Sequence, residues 1–478
     1  MGRIIRVAST LSLLLGAVNS IQVDFSSDDS IKQGASTVAY GLLKYYTGNN
    51  TGDTPGNLPD PYFWWEAGAM FGTMIDYWFY TNDTSYVDVT TQALLHQVGD
   101  DKDFMPTNQT RTLGNDDQGF WGMAAMSAAE NNFPNPPADQ PQWLALAQAV
   151  FNEYVERWDT QTCNGGLRWQ IFTFNTGFNY KNSISNGCFF NLAARLARYT
   201  GNQTYADWAE KVWDWMAEVQ FIDDAFNIYD GAGVDGGCTQ ISRSQWTYNA
   251  GIYLHGAAVM YNITNGNTSA DGGSSSSSDG SGELWANRTS GIMQRTVEIF
   301  FPNGSGVAVE QACEPYSQCN IDQQSFKGYL MRWMAASATM APFTFDTLMP
   351  LVRSSAAAAA LQCSGSPPAS DFKGDPGTAC GFRWTAQAAF DGEAGVGEQM
   401  SALSAIQYTL VKRADVAKVP ATASTGGTSV GNVNAGASTG ANLPMPAPIT
   451  TGERVAAGFA TTAILFSVLG GSFFVMKE

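Results

Sequence analysis

Apolar residues return every three to four positions in one stretch after another, and each stretch ends in a short run of Gly, Asn, Thr or Asp. This period predicts twelve helices, at residues 28–46, 61–80, 85–98, 117–131, 140–158, 181–199, 203–220, 244–262, 282–300, 322–341, 343–361 and 386–411. Strand signals over the same span are poor. A faint repeat marks the turns. Tyr80-Thr-Asn-Asp-Thr-Ser-Tyr86 resembles Tyr199-Thr-Gly-Asn-Gln-Thr-Tyr205, and Tyr46-Thr-Gly-Asn49 and Tyr261-Asn-Ile-Thr264 echo its start. In each case an apolar helix stops and a Thr or Ser is placed to cap the next one. Repeated helical hairpins build an open solenoid or a closed ring, with an irregular helical domain as the further alternative. Twelve helices with small residues for close packing suit the ring. The expected fold is therefore all-α, an (α/α)6 toroid over residues 21–413.

Composition removes several function classes. The 478 residues carry 43 acids against 25 bases, a formal charge of −18. A polyanion binder needs clustered Lys and Arg, so no nucleic acid partner is expected. Two histidines, His96 and His255, are too few for a His-rich metal centre, and both sit in apolar helical segments that suit structural roles. No Gly-rich phosphate loop appears, and no cofactor or metal is expected.

The two ends speak of secretion. Arg3 and Arg6 precede an apolar run, Leu11 to Val18, followed by the small residue Ser20. Residues 1–20 read as a signal peptide. At the other end, residues 414–440 form a Ser/Thr/Gly-rich linker, and 441–478 combine a Pro-containing spacer with the apolar run Val455 to Val475. This pattern is a GPI-anchor signal, with a tail-end transmembrane helix as the alternative. Gly440 is the favoured attachment residue and Asn434 the second choice. The expected location is the outer face of the plasma membrane or the cell wall. Sequons at Asn49, Asn82, Asn108, Asn202, Asn262, Asn267, Asn287 and Asn303 agree with secretion, and those at Asn82 and Asn202 should lie on turns. Of seven cysteines, spacing suggests the pairs Cys313–Cys319 and Cys363–Cys380, leaves Cys163–Cys238, and leaves Cys188 reduced in an apolar helix. Residues 266–282, with five consecutive serines, read as a flexible insertion within the domain.

The chemistry concentrates at Leu113-Gly-Asn-Asp-Asp-Gln-Gly-Phe-Trp121, where a loop enters a helix. One aspartate there would cap the helix. Two adjacent ones, Asp116 and Asp117, repel, so one holds a proton while the other stays ionised. Glycoside hydrolysis needs that asymmetry. Capping and catalysis both fit the pattern alone.

The stretch LGNDDQGFWGMAAMSAAE resembles the double-aspartate signature of glycoside hydrolase family 76, the endo-α-1,6-mannanases. PYFWWEAGAMFGTMIDYW, CNGGLRWQ, YKNSISNGCFFNLAARLARYTGN, QWTYNAGIYLHGAA and FKGYLMRWMA resemble further motifs of that family, in order, over residues 28–411. With the two end signals, the likeness is to its fungal cell-wall subgroup. Glu66 and Cys188 depart from residues common in bacterial members, and the Ser-rich insertion is no family hallmark.

The resemblance implies a retaining mechanism with Asp116 as nucleophile and Asp117 as acid/base, and the pocket is expected at one end of the toroid with this pair at its floor. It implies a donor α-mannoside, the mannose-containing GPI core glycan, and a wall glucan as acceptor. Expected substrate contacts are Trp65, Glu66, Trp121, Trp169, Lys181, Asn182, Asn186, Tyr248, Asn249 and Lys327. Trp64 is a further aromatic of that set, and Lys181 and Lys327 are the cations available to a phosphorylated glycan. The enzyme is expected to act as a monomer. A catalytically silent, anchored glycan-binding wall protein is the alternative. A cell-surface adhesin is disfavoured by the shortness of the Ser/Thr-rich stretch.

Overall fold

The computed structural model describes residues 20–109, 112–265, 280–386, 390–413 and 418–436, with isolated positions after 450. The signal peptide, the Ser-rich insertion and the anchor signal read from the sequence lie wholly or largely outside the described residues. Twelve α-helices occur among them: α1 (Asp28–Leu43), α2 (Trp64–Thr81), α3 (Val87–His96), α4 (Asn115–Glu130), α5 (Trp143–Glu156), α6 (Ser183–Thr200), α7 (Gln203–Glu218), α8 (Thr247–Thr264), α9 (Ser281–Phe300), α10 (Phe326–Met340), α11 (Phe345–Gln362) and α12 (Val396–Gln407). Each falls on a predicted stretch. The last starts at Val396 and not at 386. Asp391 gathers the backbone N–H groups of Phe382, Arg383 and Glu393, and Gly392 takes a positive φ of 92°, so the chain loops before it can wind.

The even-numbered helices pack side by side in order, and α12 closes on α2. The odd-numbered helices lie outside this ring, each against an inner neighbour. Sequence explains the division. An outer helix such as α7 buries one face, Tyr205, Ala206, Ala209, Val212, Trp213 and Met216, and leaves the other to water. Inner helices such as α4 and α6 are buried around most of their circumference. Small residues set how close they come. A Cβ on Gly119 of α4 would stand 2.6 Å from the Cys188 Cβ of α6, and one on Gly328 of α10 would stand 2.9 Å from the Ser401 Cα of α12. This is the (α/α)6 toroid, with a buried ion-pair network inside it. Arg332 meets Asp76 at 2.8 Å and Arg195 meets Glu130 at 2.6 Å. The Ser127 hydroxyl accepts from both arginines.

Alternation of inner and outer helices points every inner N-terminus to one end. A three-stranded antiparallel sheet sits there: β1 (Tyr180–Asn182), β2 (Gly231–Gly233) and β3 (Ile241–Ser242), with Lys181 opposite Ala232 and Ala232 opposite Ile241. A second pair, β4 (Cys363–Gly365) and β5 (Ala379–Cys380), carries one disulfide. The pairs Cys163–Cys238, Cys313–Cys319 and Cys363–Cys380 form as spacing suggested, and Cys188 is free and buried.

Three readings change. Residues 414–440 were expected to be a linker, yet their described part, 418–436, lies against the barrel. The Ala421 N–H donates to the Glu130 carbonyl, the Ala423 N–H to that of Tyr199, and Asn152 donates to the carbonyls of Val433 and Ala435. Glycine here serves contact rather than flexibility: a Cβ on Gly431 would stand 2.7 Å from the Gln148 side chain. Second, Asn262 is buried in α8, where its amide donates to Met340 and accepts from Arg198, so this sequon is closed to glycosylation. Asn82 and Asn202 are exposed at helix ends, the turn positions expected, and Asn267 lies outside the described residues. Third, the pocket was expected at the end that carries Asp116 and Asp117, whereas a cavity of about 700 Å³ lies at the opposite end, lined by Arg198, Asn262, Phe345 and Lys418 among others.

Candidate active site

Asp116 and Asp117 occupy the first turn of α4, behind the N-cap Gly114. Both are half-buried. The Gly114 N–H donates to Asp117 Oδ2 at 2.7 Å, the return bond of a capping box. Asp116 keeps Oδ1 with no hydrogen-bond partner among the described residues. Burial, then the Asp117 charge, pushes the Asp116 carboxyl well above the usual range, and hydrogen bonds from backbone and from the Trp169 side chain oppose this only in part. Burial raises Asp117 to about 7, against the pull of the Gly114 N–H. Capping thus accounts for Asp117 alone. Asp116 makes no bond to the Gly114 cap and keeps one oxygen free.

A loop from the neighbouring hairpin locks onto this turn. Gly114 bridges Gln170, the Asn115 N–H donates to the Trp169 carbonyl at 2.8 Å, and the Asn115 amide donates to the Arg168 carbonyl. Tyr154 supports the turn from below, its hydroxyl donating to the Asn115 carbonyl. The same loop absorbs two of the residues expected to touch substrate, and a third caps its own helix. The Lys181 ammonium is fully buried and donates to the carbonyls of Asp159, Thr162 and Gly165, with the Asp159 carboxylate 3.3 Å away. Asn186 accepts the Leu167 N–H and donates to the carbonyls of Leu167 and Asn182. Asn182 caps α6 by accepting the Ser185 N–H. The side chains of Lys181 and Asn186 therefore hold the loop that presents Trp169, and direct sugar contact by either has no geometric support.

Lys327 needs the same correction. It is fully buried, donates to Glu314 at 2.9 Å and to the Phe382 carbonyl at 2.6 Å, and lies over the rings of Phe382 and Trp384. Trp121 is also closed to ligand. It is fully buried, stacked on Trp64 with ring centres 5.1 Å apart and on Phe104 at 5.7 Å, so Trp64 is core as well. Trp65 and Trp169 remain half-buried at the mouth. Trp65 rests on Phe120 and donates its indole N–H to Asp322. Tyr248 is half-buried, stacked on Phe326 with ring centres 3.8 Å apart. His255 is a core residue bonded to Asn191, and His96 is exposed at the end of α3.

A regularity appears at four of the six inner N-termini. The third residue of α2 is Glu66, of α4 Asp117, of α8 Asn249 and of α12 Glu398. Glu66 is fully buried with neither oxygen bonded, and Asn249 is fully buried with neither amide atom bonded, among the described residues. Burial, reinforced by the charges of Asp322 and Glu398, raises Glu66 well above its ordinary range. Burial raises Glu398 to about 8. Asp322 is raised by burial and eased by the Trp65 hydrogen bond. Sequence reading passed over Asp322 and Glu398. The signal available was positional: Asp322 stands five residues before Lys327, and Glu398 repeats the helix position of Glu66. The mouth is thus built from carboxyl, amide and aromatic groups, and its two nearby lysines are spent on protein partners.

A helical toroid with paired carboxylates at the N-terminal end of an inner helix defines a class, the carboxylate-dependent glycosidases of this fold. The model of glycosyl hydrolase family 76 matches residues 30–424, and the chain belongs to that family. It is a glycoside hydrolase. It is 45% identical over 453 residues to the mannan endo-1,6-α-mannosidase DCW1 of Saccharomyces cerevisiae, covering 94% of each chain. It is 41% identical to DFG5 of the same yeast, another protein named mannan endo-1,6-α-mannosidase, covering 99% of this chain and 98% of the other. The crystal structure of Dfg5 from Chaetomium thermophilum in complex with glucosamine superposes with a TM-score of 0.78 at 46% identity, over 87% of this chain and 98% of that one. An inactive α-1,6-mannanase variant from a Salegentibacter species, solved with α-1,6-mannotriose, shares the fold at a TM-score of 0.59 and 18% identity, over 80% and 99% of the chains.

Proposed function

We propose that this enzyme cleaves α-1,6-linked mannosides with retention of configuration, Asp116 acting as nucleophile and Asp117 as acid and base. The observation that carries the proposal is an enclosed pair of unequal carboxyl groups, one held by the Gly114 N–H and its neighbour left with an unbonded oxygen; the assignment of nucleophile and acid/base within the pair follows the family resemblance. In the first step an Asp116 oxygen bonds to the anomeric carbon, the glycosidic C–O bond breaks, and Asp117 gives its proton to the leaving oxygen. In the second, Asp117 takes a proton from water or from a sugar hydroxyl. The oxygen so freed attacks the anomeric carbon and releases Asp116. Water gives hydrolysis; a hydroxyl gives transglycosylation.

The donor we infer is the mannose-containing core glycan of GPI-linked proteins, with wall glucan as acceptor and the enzyme anchored at the outer face of the membrane. Similarity to DCW1 and DFG5 supports the mannoside part. The relative solved with glucosamine supports an unacetylated amino sugar as part of that glycan. A phosphate in the site loses its support, because Lys181 and Lys327 are buried and bonded.

The test is incubation of the purified protein with α-1,6-mannobiosides and with a glucosamine-bearing core glycan, read by mass spectrometry with and without a glucan oligomer. Cleavage or transfer that disappears in Asp116→Asn supports the proposal. Binding without any product in the wild type leaves the silent glycan-binding alternative in its place.

A further inference from the structure

The loop that locks onto the catalytic turn continues into an exposed aromatic stack. Phe174 is 65% exposed and Phe172 half-buried, and their rings lie 5.3 Å apart and 11° from parallel. Their place in the fold is fixed from both sides. The Ile171 N–H donates to the Leu113 carbonyl, and Gln170 bridges Gly114, so Phe172 follows directly on residues zipped to the chain that enters α4. Beyond the stack, the Asn175 N–H returns to the Phe172 carbonyl and the Phe178 N–H to that of Asn175. Gly177, at a φ of 98°, lies against the Trp169 ring so closely that a Cβ would stand 2.3 Å from it. Successive turns thus hold Phe174 out in water, stacked on a Phe172 that itself packs against the core.

Solitary exposed apolar residues need no explanation. Two rings held nearly parallel, on a loop pinned to the catalytic helix, form a flat apolar step beside the site. No Lys, Arg, Asp or Glu occurs from Trp169 to Tyr180. The Arg168 guanidinium beneath is engaged by Asp159 and lies over the Phe178 ring. The step is uncharged, and its occupant should be neutral.

We propose that Phe172 and Phe174 form a binding platform for the acceptor, a chain of β-linked glucopyranose, adjoining Asp116. This rests on the transfer reading above and names which surface receives the second sugar. Aromatic faces are electron-rich and attract the weakly positive C–H groups of a sugar. β-Glucopyranose carries its ring substituents equatorially and shows C–H groups on both faces. Mannopyranose raises an axial hydroxyl from one face and fits a flat ring less well.

The experiment is a ligand-observed NMR titration of the purified full-length protein with laminaripentaose and, separately, α-1,6-mannopentaose. Phe174→Ala should weaken laminaripentaose by about tenfold, the worth of one aromatic stack, and mannopentaose by much less. Phe174→Trp should keep or tighten laminaripentaose binding, which separates loss of the ring from damage to the loop. Phe343→Ala, an exposed aromatic after α10 at the opposite end, should change neither ligand. Unchanged laminaripentaose affinity in Phe174→Ala, equal weakening of both ligands, or no laminaripentaose binding by the wild type overturns the platform. Failure of the mannoside reading shows elsewhere, as absence of donor cleavage by the wild-type protein, and leaves this binding result readable.

Discussion

Asp117 is bonded to the backbone of its own helix cap, and Asp116, its neighbour in sequence, is not. That difference sorts two mutations that look alike. Asp116→Asn should abolish turnover on every donor, because no covalent intermediate forms. Asp117→Asn should abolish turnover of natural mannosides, yet react once with an activated aryl mannoside and then stall, since a good leaving group needs no proton. Asp117→Asn also weakens a capping bond, so its melting point should fall more than that of Asp116→Asn, by roughly 1 kcal/mol of stability. Burst kinetics with an aryl donor and thermal melts of both variants check the assignment. Small, equal activity losses would return both aspartates to capping.

The same pair sets the acid side of the pH profile. Turnover needs one proton on the pair, with the other group ionised. Burial raises both carboxyls, with Asp117 near 7, so the first deprotonation of the pair lies above the ordinary carboxylate range. Activity should therefore fall as pH drops through that step, because the pair then takes up its second proton. A kcat/KM profile whose acid limb lies at pH 4 would contradict the enclosure of the pair.

Stability should run the other way with pH. Burial raises Glu310 and Glu398 to about 8, Glu153 to about 7 and Asp103 to about 6. Unfolded, these groups release their protons near the ordinary carboxylate values. Between that range and pH 8 the unfolded chain loses protons that the folded one keeps, so folding stability drops as pH rises, by roughly 1.4 kcal/mol per pH unit for each group in its window. Below the unfolded values the contribution is fully present. Melting temperatures should be higher at pH 5 than at pH 8, and Glu398→Gln should flatten the slope. A melting point that climbs from pH 5 to pH 8 would mean that these acids are ionised in the fold.

What the sequence conveys about this protein depends on whether residue type and spacing suffice. Helix positions are read well because the 3.6-residue period is local, and the inner helices identify themselves by being apolar with Gly and Ala on every side. Asp116 and Asp117 stand out because a cap needs one acid and the chain spends two. Lys181 and Lys327 mislead because a lysine in a site motif looks the same whether its ammonium faces sugar or three carbonyls. Trp64 and Trp65 are adjacent residues that differ in phase at the start of α2, one in the core and one at the mouth, which the sequence does not weigh against neighbours far along the chain. Asp322 and Glu398 were passed over because a single acid near a helix start is also what an exposed cap looks like.

Lys327 tests that correction. Its ammonium neutralises the buried Glu314, so Lys327→Met leaves a carboxylate without its partner. The loss should be about 3–5 kcal/mol of stability. Binding of core glycan, measured on the fraction that remains folded at low temperature, should be changed little. A melting point like that of the wild type with selective loss of a phosphorylated ligand would restore the lysine to the site.

The segment 418–436 yields the last prediction. Its composition is that of a free tether, but Ser429 Oγ accepts the Leu144 N–H at 2.9 Å and Gln148 accepts the Asn432 N–H. Leu144 is the second residue of α5, one of the N–H groups that a helix cannot satisfy from within itself. The strap therefore supplies the cap that Gln142 lacks. Ser429→Ala should cost about 1 kcal/mol, as loss of an N-cap does. Gly431→Val should cost more, because its side chain would collide with Leu144 and Gln148 and lift the strap as a unit. Hydrogen exchange should then quicken at the start of α5 and at the amides of Ala421 and Ala423, both of which donate to the barrel. Faster exchange limited to the strap's own turns, with the Leu144 amide still protected, would show that α5 is capped without it.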